Sequence, residues 1–389
     1  MTSAPPWDTV IVGAGPAGAI AALHLAGGGR RVTVLDRHVF PRDKVCGDGL
    51  IPDALRCLER AGLRERVTAH GYATGTVSVY SPHQIRADVP GEFVTLKRET
   101  LDAMVLAEAV RRGAVFRQMQ VREVTTDDQG VTVSGGGHAV RGRVAVLATG
   151  ADVSLLASLG MLHRSRASGV AGRCYVRSPE PLAELIVSFD KSVLPGYGWI
   201  FPLGNDEYNV GVGAFTRGTR KQPNVRGMFE RFTRRFPVAR RLLTRAGAVS
   251  PLKGARLRCG LRGAAVHDGG RVVAVGESIG TTFPFTGEGI GKAMETAEIA
   301  VRLIHRALDA DDFAPLREIA GLIERDLAPR YAGYALAEEW ATKAWLIDAI
   351  ARRVRRSDRL RRAAAGILDE TIDPRVLFSW RNVVASWKR

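Results

Sequence analysis

The apolar positions of this chain open with a short run, Thr9–Val12, break at glycines, continue through a longer apolar stretch to Leu25, and return in a second short run, Val32–Leu35. Short apolar runs bounded by glycine predict buried strands, and the longer stretch between them predicts a helix. TVSVYS and EFVTLK, within residues 71–97, alternate with a period of two and predict strands of a second sheet. The spacing then predicts a helix over Glu99–Arg112 and strands in VFRQMQVREV, QGVTVS and RVAVLATG. Between residues 165 and 260 come β-like runs GVAGRCYV, ELIVSFD, GYGWIFP and YNVGVGAF, then a basic helix over Met228–Ala246 and a strand at Gly254–Arg258. Arg271–Asp309 reads as strand, loop and helix, and residues 310–389 read as helical throughout, with Pro374 as a break.

This order predicts a mixed α/β fold in which two domains interleave. A Rossmann-type unit takes residues 1–70, 98–160 and 261–309; a β-sheet substrate domain takes 71–97 and 161–260; a helical region closes the chain at 310–389. No internal repeat or low-complexity linker separates them.

The break after the first strand is Gly13-x-Gly15-x-x-Gly18, and Asp36 ends the second strand. Glycines at this spacing give a tight turn and let backbone approach a pyrophosphate at a helix N-terminus, while the acid can bond a ribose hydroxyl. Ala17 in the turn and Arg37 beside the acid join the candidate set. A second segment, RVVAVGESIGTTFPFTGEGIGKAMETAEIA, places Glu277 at a strand end, where it can hold ribityl hydroxyls. The same segment places Gly287, Gly289 and Ile290 where a helix opens. That helix start can aim N–H groups and a positive dipole end at the flavin edge that gains negative charge on reduction. Between the two lies PRDKVCGDGL, with Cys46 just ahead of Gly47 and Gly49. Cys46 can donate a proton or line a flavin face, with Arg42 and Lys44 as cations able to lower its pKa. It can equally be a small residue that fits under the ring.

These motifs together resemble the FAD-dependent oxidoreductases of the p-hydroxybenzoate hydroxylase fold, and within them the geranylgeranyl reductase family. The resemblance covers residues 8–310. It is carried by GAGPAG, DKVCGDGL, Arg98-x-x-x-Asp102, GYGWIFP followed by YNVGVG, and TGEGIG. It implies that Val121 lies on a strand whose backbone meets the adenine edge and that Cys46 takes part in alkene reduction. Arg98 is either a flavin ligand or a surface cation at a helix start. Two departures stand out. Glu277 replaces the usual Asp, and Asp152 is followed by Val153 with no arginine close after Ser154, which weakens any nicotinamide-binding role there. GYGWIFP should put Tyr197, Trp199 and Phe201 on one strand face, as an apolar wall for a hydrophobic substrate or as ordinary sheet core.

A single ADP-binding fingerprint leaves NAD(P)H, or an electron-donor protein, to deliver electrons without a second dinucleotide fold. The expected activity is reduction of carbon–carbon double bonds in a geranylgeranyl-type isoprenoid chain. The alternative is an FAD monooxygenase, or a halogenase, acting on an aromatic or carrier-bound substrate, although GYGWIFP lacks the first tryptophan of the halogenase stretch.

The 56 Lys and Arg against 40 Asp and Glu give a formal charge of +16. The arginines are scattered and no stacking aromatics interleave them, which argues against nucleic acid. The densest patch, ARRVRRSDRLRR at Ala351–Arg362, follows Trp345 and Ile350 and includes Val354; the three can share an apolar flank of a helix resting on an anionic membrane. The other reading is a solvated helix face. Four cysteines without paired spacing, the absence of a metal-type cluster, of a signal-like start and of a long apolar run predict free thiols, no metal and a cytoplasmic protein.

Overall fold

The computed structural model describes residues 6–216 and 223–378. A 7-stranded sheet carries the first unit, with the strands Val115–Gln118, Val32–Asp36, Trp7–Val12, His138–Leu147, Gly130–Gly135 and Glu123–Asp127 in spatial order. His138–Leu147 does two jobs. Its first half pairs antiparallel with Gly130–Gly135, and its second half runs parallel to Trp7–Val12 and to Val272–Ala274. The parallel strands are apolar on both faces because both faces are covered; Val10, Ile11, Val144, Val146 and Val273 are fully buried. The helices Pro16–Gly27 and Ile290–Ala310 pack on each other over this sheet.

The second sheet has 9 strands and draws on Gly49–Leu50, Tyr72–Tyr80 and Arg86–Thr95 together with six strands between Gly169 and Leu257. The chain joins this sheet at Gly49–Leu50, leaves it through the helices Pro52–Arg60 and Arg64–His70, and returns over residues 72–95 and again from Gly169, so a strand of the expected nucleotide segment 1–70 pairs in the second sheet. Two expectations need correction. VFRQMQVREV is not one strand: Val115–Gln118 pairs with Val32–Asp36, Glu123–Asp127 pairs with Gly130–Gly135, and Val121 sits in the turn between them. The basic helix also splits, into Val225–Arg235 and Pro237–Thr244, because Pro237 has no N–H to continue the first and suits the first turn of the second.

The C-terminal helices Ile319–Ala341, Ala344–Arg356 and Asp358–Leu368 end at a turn opened by Pro374; the expected helix beyond residue 378 lies outside the described residues. A buried charge cluster ties this region to the nucleotide unit. Lys292, 1% exposed, ion-pairs with Glu370 at 2.6 Å, with Asp53 at 3.6 Å and with Glu295, while Arg330 pairs with Glu370 at 2.7 Å. Burial pushes Asp53 up to about 6, against the pull of Lys292. Among the described residues no helix is long and apolar enough to cross a membrane.

Candidate functional site

One cavity of about 980 Å³ runs from the glycine turn to the C-terminal helices. At its head, Gly13 has φ +101°, and a Cβ there would stand 2.3 Å from Ala148 O. At Gly18 a Cβ would meet Gly13 O at 1.8 Å. Only glycine satisfies both positions, one for backbone angle and one for close approach. Gly15 and Ala17 also line the cavity, and Gly15 is extended at the N-cap of Pro16–Gly27, leaving the helix N-terminus open to a phosphate. Asp36 accepts from the Ala14 and His38 N–H groups, which aims its carboxylate across the turn. Arg37 sits at the rim, 3.5 Å from Asp152. Val121 lines the same end from its turn.

Arg42 belongs to this end too. The sequence offered it as a perturber of Cys46; instead it pairs with Asp102 at 2.9 Å, and a Cβ at Gly15 would lie 3.7 Å from its Nη2. Its Nη1 is buried with no hydrogen-bond partner. An unsatisfied buried guanidinium nitrogen beside an open helix N-terminus fits a pyrophosphate-bearing ligand, so the residues present suit FAD.

The middle of the cavity is the Cys46 loop. Arg98 starts the helix Arg98–Arg111 and is buried, not a surface cation; it clamps Asp102 through two hydrogen bonds of 2.8 Å. Burial alone would pull the Arg98 guanidinium down, but Asp102 and Cys46 outweigh it and hold it above the ordinary value. The Cys46 thiol is pushed up by burial, more than Arg98 pulls it down. The cation that acts most strongly on it is Arg98 rather than Lys44 or Arg42, and the thiol keeps its proton at neutral pH.

Asp48, two residues on, was missed by the sequence reading. It has φ +61° and is fully buried, accepting from Tyr175 Oη and Asn209 Nδ2, both at 2.8 Å, and from Arg98 N at 3.2 Å. Burial lifts it to about 6 in spite of those bonds. Asn209 also donates to Cys46 O at 2.8 Å and accepts from Trp199 Nε1 at 2.9 Å. The YNVGVG segment thus fastens the Cys46 loop to the aromatic strand. Gly211 is required there because a Cβ would sit 2.1 Å from the Trp199 ring.

Tyr197, Trp199 and Phe201 do share one face of the strand Gly196–Gly204, with adjacent ring centroids 5.9 and 6.5 Å apart. Phe201 lies against Gly47 and Gly49, where added Cβ atoms would stand 3.3 and 3.4 Å from its ring. Across from them Tyr197 Oη donates to Thr286 O; Gly287 has φ +72°, and a Cβ there would come within 2.4 Å of that hydroxyl. Gly289 is the N-cap of the helix Ile290–Ala310, with no side chain capping it, and both Gly289 and Ile290 line the cavity. Glu277 lies in a short turn after Val272–Ala274 and accepts from Arg258 N at 3.3 Å. Glu288 also lines the cavity; burial drives its carboxyl well above the usual range.

Beyond the aromatic stripe the cavity is apolar. Val77, Val89 and Leu185 of the second sheet face Ile350, Val354 and Ile367 of the last two helices.

Residues 7–149 match the model of the FAD binding domain. The chain is 35% identical over 323 residues, covering 76% of each, to a menaquinone reductase of Mycolicibacterium smegmatis. It is 28% identical to digeranylgeranylglycerophospholipid reductase 1 of Methanopyrus kandleri, covering 79% of this chain and 82% of that one. Among solved structures, a geranylgeranyl bacteriochlorophyll reductase-like protein of Thermoplasma acidophilum superposes with a TM-score of 0.80 at 17% identity, over 98% of both chains. The flavin-dependent brominase Bmp2 follows at 0.72 and 18%, covering 99% of this chain and 100% of that one. A glycine turn that excludes a Cβ at Gly13 and Gly18, an unsatisfied arginine above it and these likenesses lead to one conclusion: the chain belongs to the geranylgeranyl reductase family of FAD-dependent oxidoreductases.

Proposed function

We propose that this oxidoreductase saturates carbon–carbon double bonds in the isoprenoid chain of a lipid, with NAD(P)H or a donor protein as the source of electrons. The observation that carries the reading is the continuity of the cavity from the dinucleotide turn, past Cys46, into an end walled by aliphatic side chains. An isoprenoid chain offers no hydrogen-bonding groups, so it is recognised by shape and apolar area, which that end supplies. The names of the relatives, reductases of menaquinone and of digeranylgeranylglycerophospholipid, support the same class, since both compounds carry such chains.

Gly13, Gly15, Gly18, Asp36 and Arg42 would hold the dinucleotide, Glu277 the ribityl chain, and the N–H groups at Gly289 and Ile290 the ring edge. Bound FAD supplies a two-electron hydride carrier. The chain's own residues then have three tasks. Tyr197, Trp199 and Phe201 would exclude water and hold the alkene in the cavity beside the flavin site. Cys46 holds a proton on Sγ at neutral pH, because burial keeps the thiol un-ionised, and delivers it to the carbon that does not take the hydride. Asp48 and Asn209 fix the loop that presents that thiol.

The test is a substrate panel, run with dithionite-reduced protein with and without air. Saturation of a geranylgeranyl-type chain in the absence of air is expected. Product formation that strictly requires oxygen, with oxygen-18 from labelled gas in the product, would assign the chain to the monooxygenases instead.

A further inference from the structure

The helices Ala344–Arg356 and Asp358–Leu368 have two unlike faces. The inner face, through Ile350, Ala351, Val354 and Ile367, walls the apolar end of the cavity. On the outer face Arg352, Arg355, Arg356, Arg359 and Arg362 are exposed, and none of them makes an ion pair among the described residues. The acids here are already engaged: Asp358 pairs with Arg361, and Asp348 is buried beneath Ser81 and His83. Many arginines of the nucleotide unit are neutralised, as in Arg60–Glu298, Arg64–Glu92 and Arg141–Asp127.

The position of Trp345 corrects the expected apolar flank. Arg352 and Arg356 follow it by about two and about three turns, so the three share a stripe, whereas Val354 falls about two and a half turns on, at the opposite side. Trp345 is 51% exposed and Val354 4%. An indole among arginines, standing outward, is the composition of a helix face at a lipid headgroup layer.

We propose that the outer face of these two helices docks the protein on an anionic lipid surface, which sets the apolar cavity one helix thickness from the membrane. The advantage for catalysis rests on the reading of the substrate as a lipid; the docking itself does not.

Vesicle sedimentation of the intact FAD-loaded protein tests it. Phosphatidylcholine vesicles containing phosphatidylglycerol should bind the protein, and pure phosphatidylcholine should not. Binding should weaken as salt shortens the Debye length from about 30 Å at 0.01 M to about 8 Å at 0.15 M. The triple variant R352E/R355E/R356E should bind at least about 10²-fold more weakly, on a scale of roughly fivefold per basic residue near such a surface. A matched control, R234E/R235E/R240E on the helices Val225–Arg235 and Pro237–Thr244, outside the proposed face, should change binding by less than about threefold. Equal losses in both triples would overturn the proposal, because the attraction would then belong to the overall charge. Binding to pure phosphatidylcholine, no vesicle binding, or stronger competition by duplex DNA than by the anionic vesicles would also overturn it. Turnover of a short, detergent-dispersed isoprenoid should be the same in wild type and R352E/R355E/R356E. Absence of turnover in both, with vesicle binding as described, would count against the reductase reading and leave the docking face standing.

Discussion

At the flavin end of the cavity the backbone and fixed charges decide what fits, whereas at the far end shape alone decides. The head of the cavity tolerates no Cβ at Gly13 or Gly18, and next to it Arg98, Arg42 and Asp102 lock together with a partly buried cysteine and a buried carboxyl beside them. The far end has no such polar geometry: Val77, Val89, Leu185 and Val354 meet as aliphatic walls. A polar site specifies a ligand atom by atom, because each unpaired buried group is costly. An apolar wall specifies length and width only, since one methylene changes affinity little. The difference teaches that the cofactor is far more legible in the sequence than the substrate.

The largest predicted effect comes from the seam that holds the two ends together. Lys292→Met leaves the buried carboxylate of Asp53 without its cation and Glu370 with Arg330 as its close partner. Stability should drop by about 3–5 kcal/mol, the scale for stripping one partner from a buried charge network, read as a lower denaturant midpoint. An unchanged midpoint would mean that the helices Ile290–Ala310 and Ile319–Ala341 are held by apolar packing alone.

Next comes Cys46→Ala, which should keep FAD and the fold but slow turnover by roughly 10²-fold, the cost of losing a positioned proton donor. Cys46→Ser should recover little, because a hydroxyl is a much weaker acid than a thiol. Near-full turnover in both would make Cys46 a packing residue.

A reciprocal pair then sharpens the contrast. Gly15→Ala has room in the chain itself, with Arg42 Nη2 at 3.7 Å, so melting should be unchanged while FAD binds about tenfold more weakly. Ala351→Phe intrudes on the apolar end and should do the opposite. FAD should bind normally, and kcat/KM for long chains should fall about tenfold relative to short ones. If both variants affected FAD alike, the two ends would not be separable.

The smallest effect is a pH dependence. Asp48 is raised to about 6 in the fold from an ordinary 3.8. Its contribution to stability is therefore fully present below about 3.8 and lost as pH rises through about 6. The stability of the wild type relative to Asp48→Asn should decline over that interval, measured by thermal melts at stepped pH. A constant difference would place the titration elsewhere.

The sequence disclosed what is local. The glycine turn, the acid at Asp36, the helix start at Gly289 and the aromatic alternation of Gly196–Pro202 are each set by neighbours within one element. It did not disclose what depends on distant pairing. Asp48 acquires its meaning from Tyr175 and Asn209, which lie 127 and 161 residues away. Arg42 looked like a neighbour of Cys46 until folding turned it toward Asp102 and Gly15. A sharper signal lies in YNVGVG, where Asn209 and Gly211 are odd choices for a buried strand: Asn209 joins Trp199 to Cys46 and Asp48, and Gly211 makes room for the Trp199 ring. The turn at Val121 and the break before Pro237 mark the places where strand or helix propensity gave way to a change of pairing partner or a missing N–H.

The central claim is that reducing equivalents held at the polar end reach a double bond held at the apolar end, without oxygen. The direct measurement is a single turnover in an oxygen-free cuvette, with reduced FAD on the protein and a geranylgeranyl-type lipid added. The account predicts that the absorbance of oxidised flavin returns in step with a mass gain of two hydrogen atoms per saturated bond, one reduced flavin consumed for each. Flavin that stays reduced until air is admitted, followed by a product carrying oxygen, would contradict it.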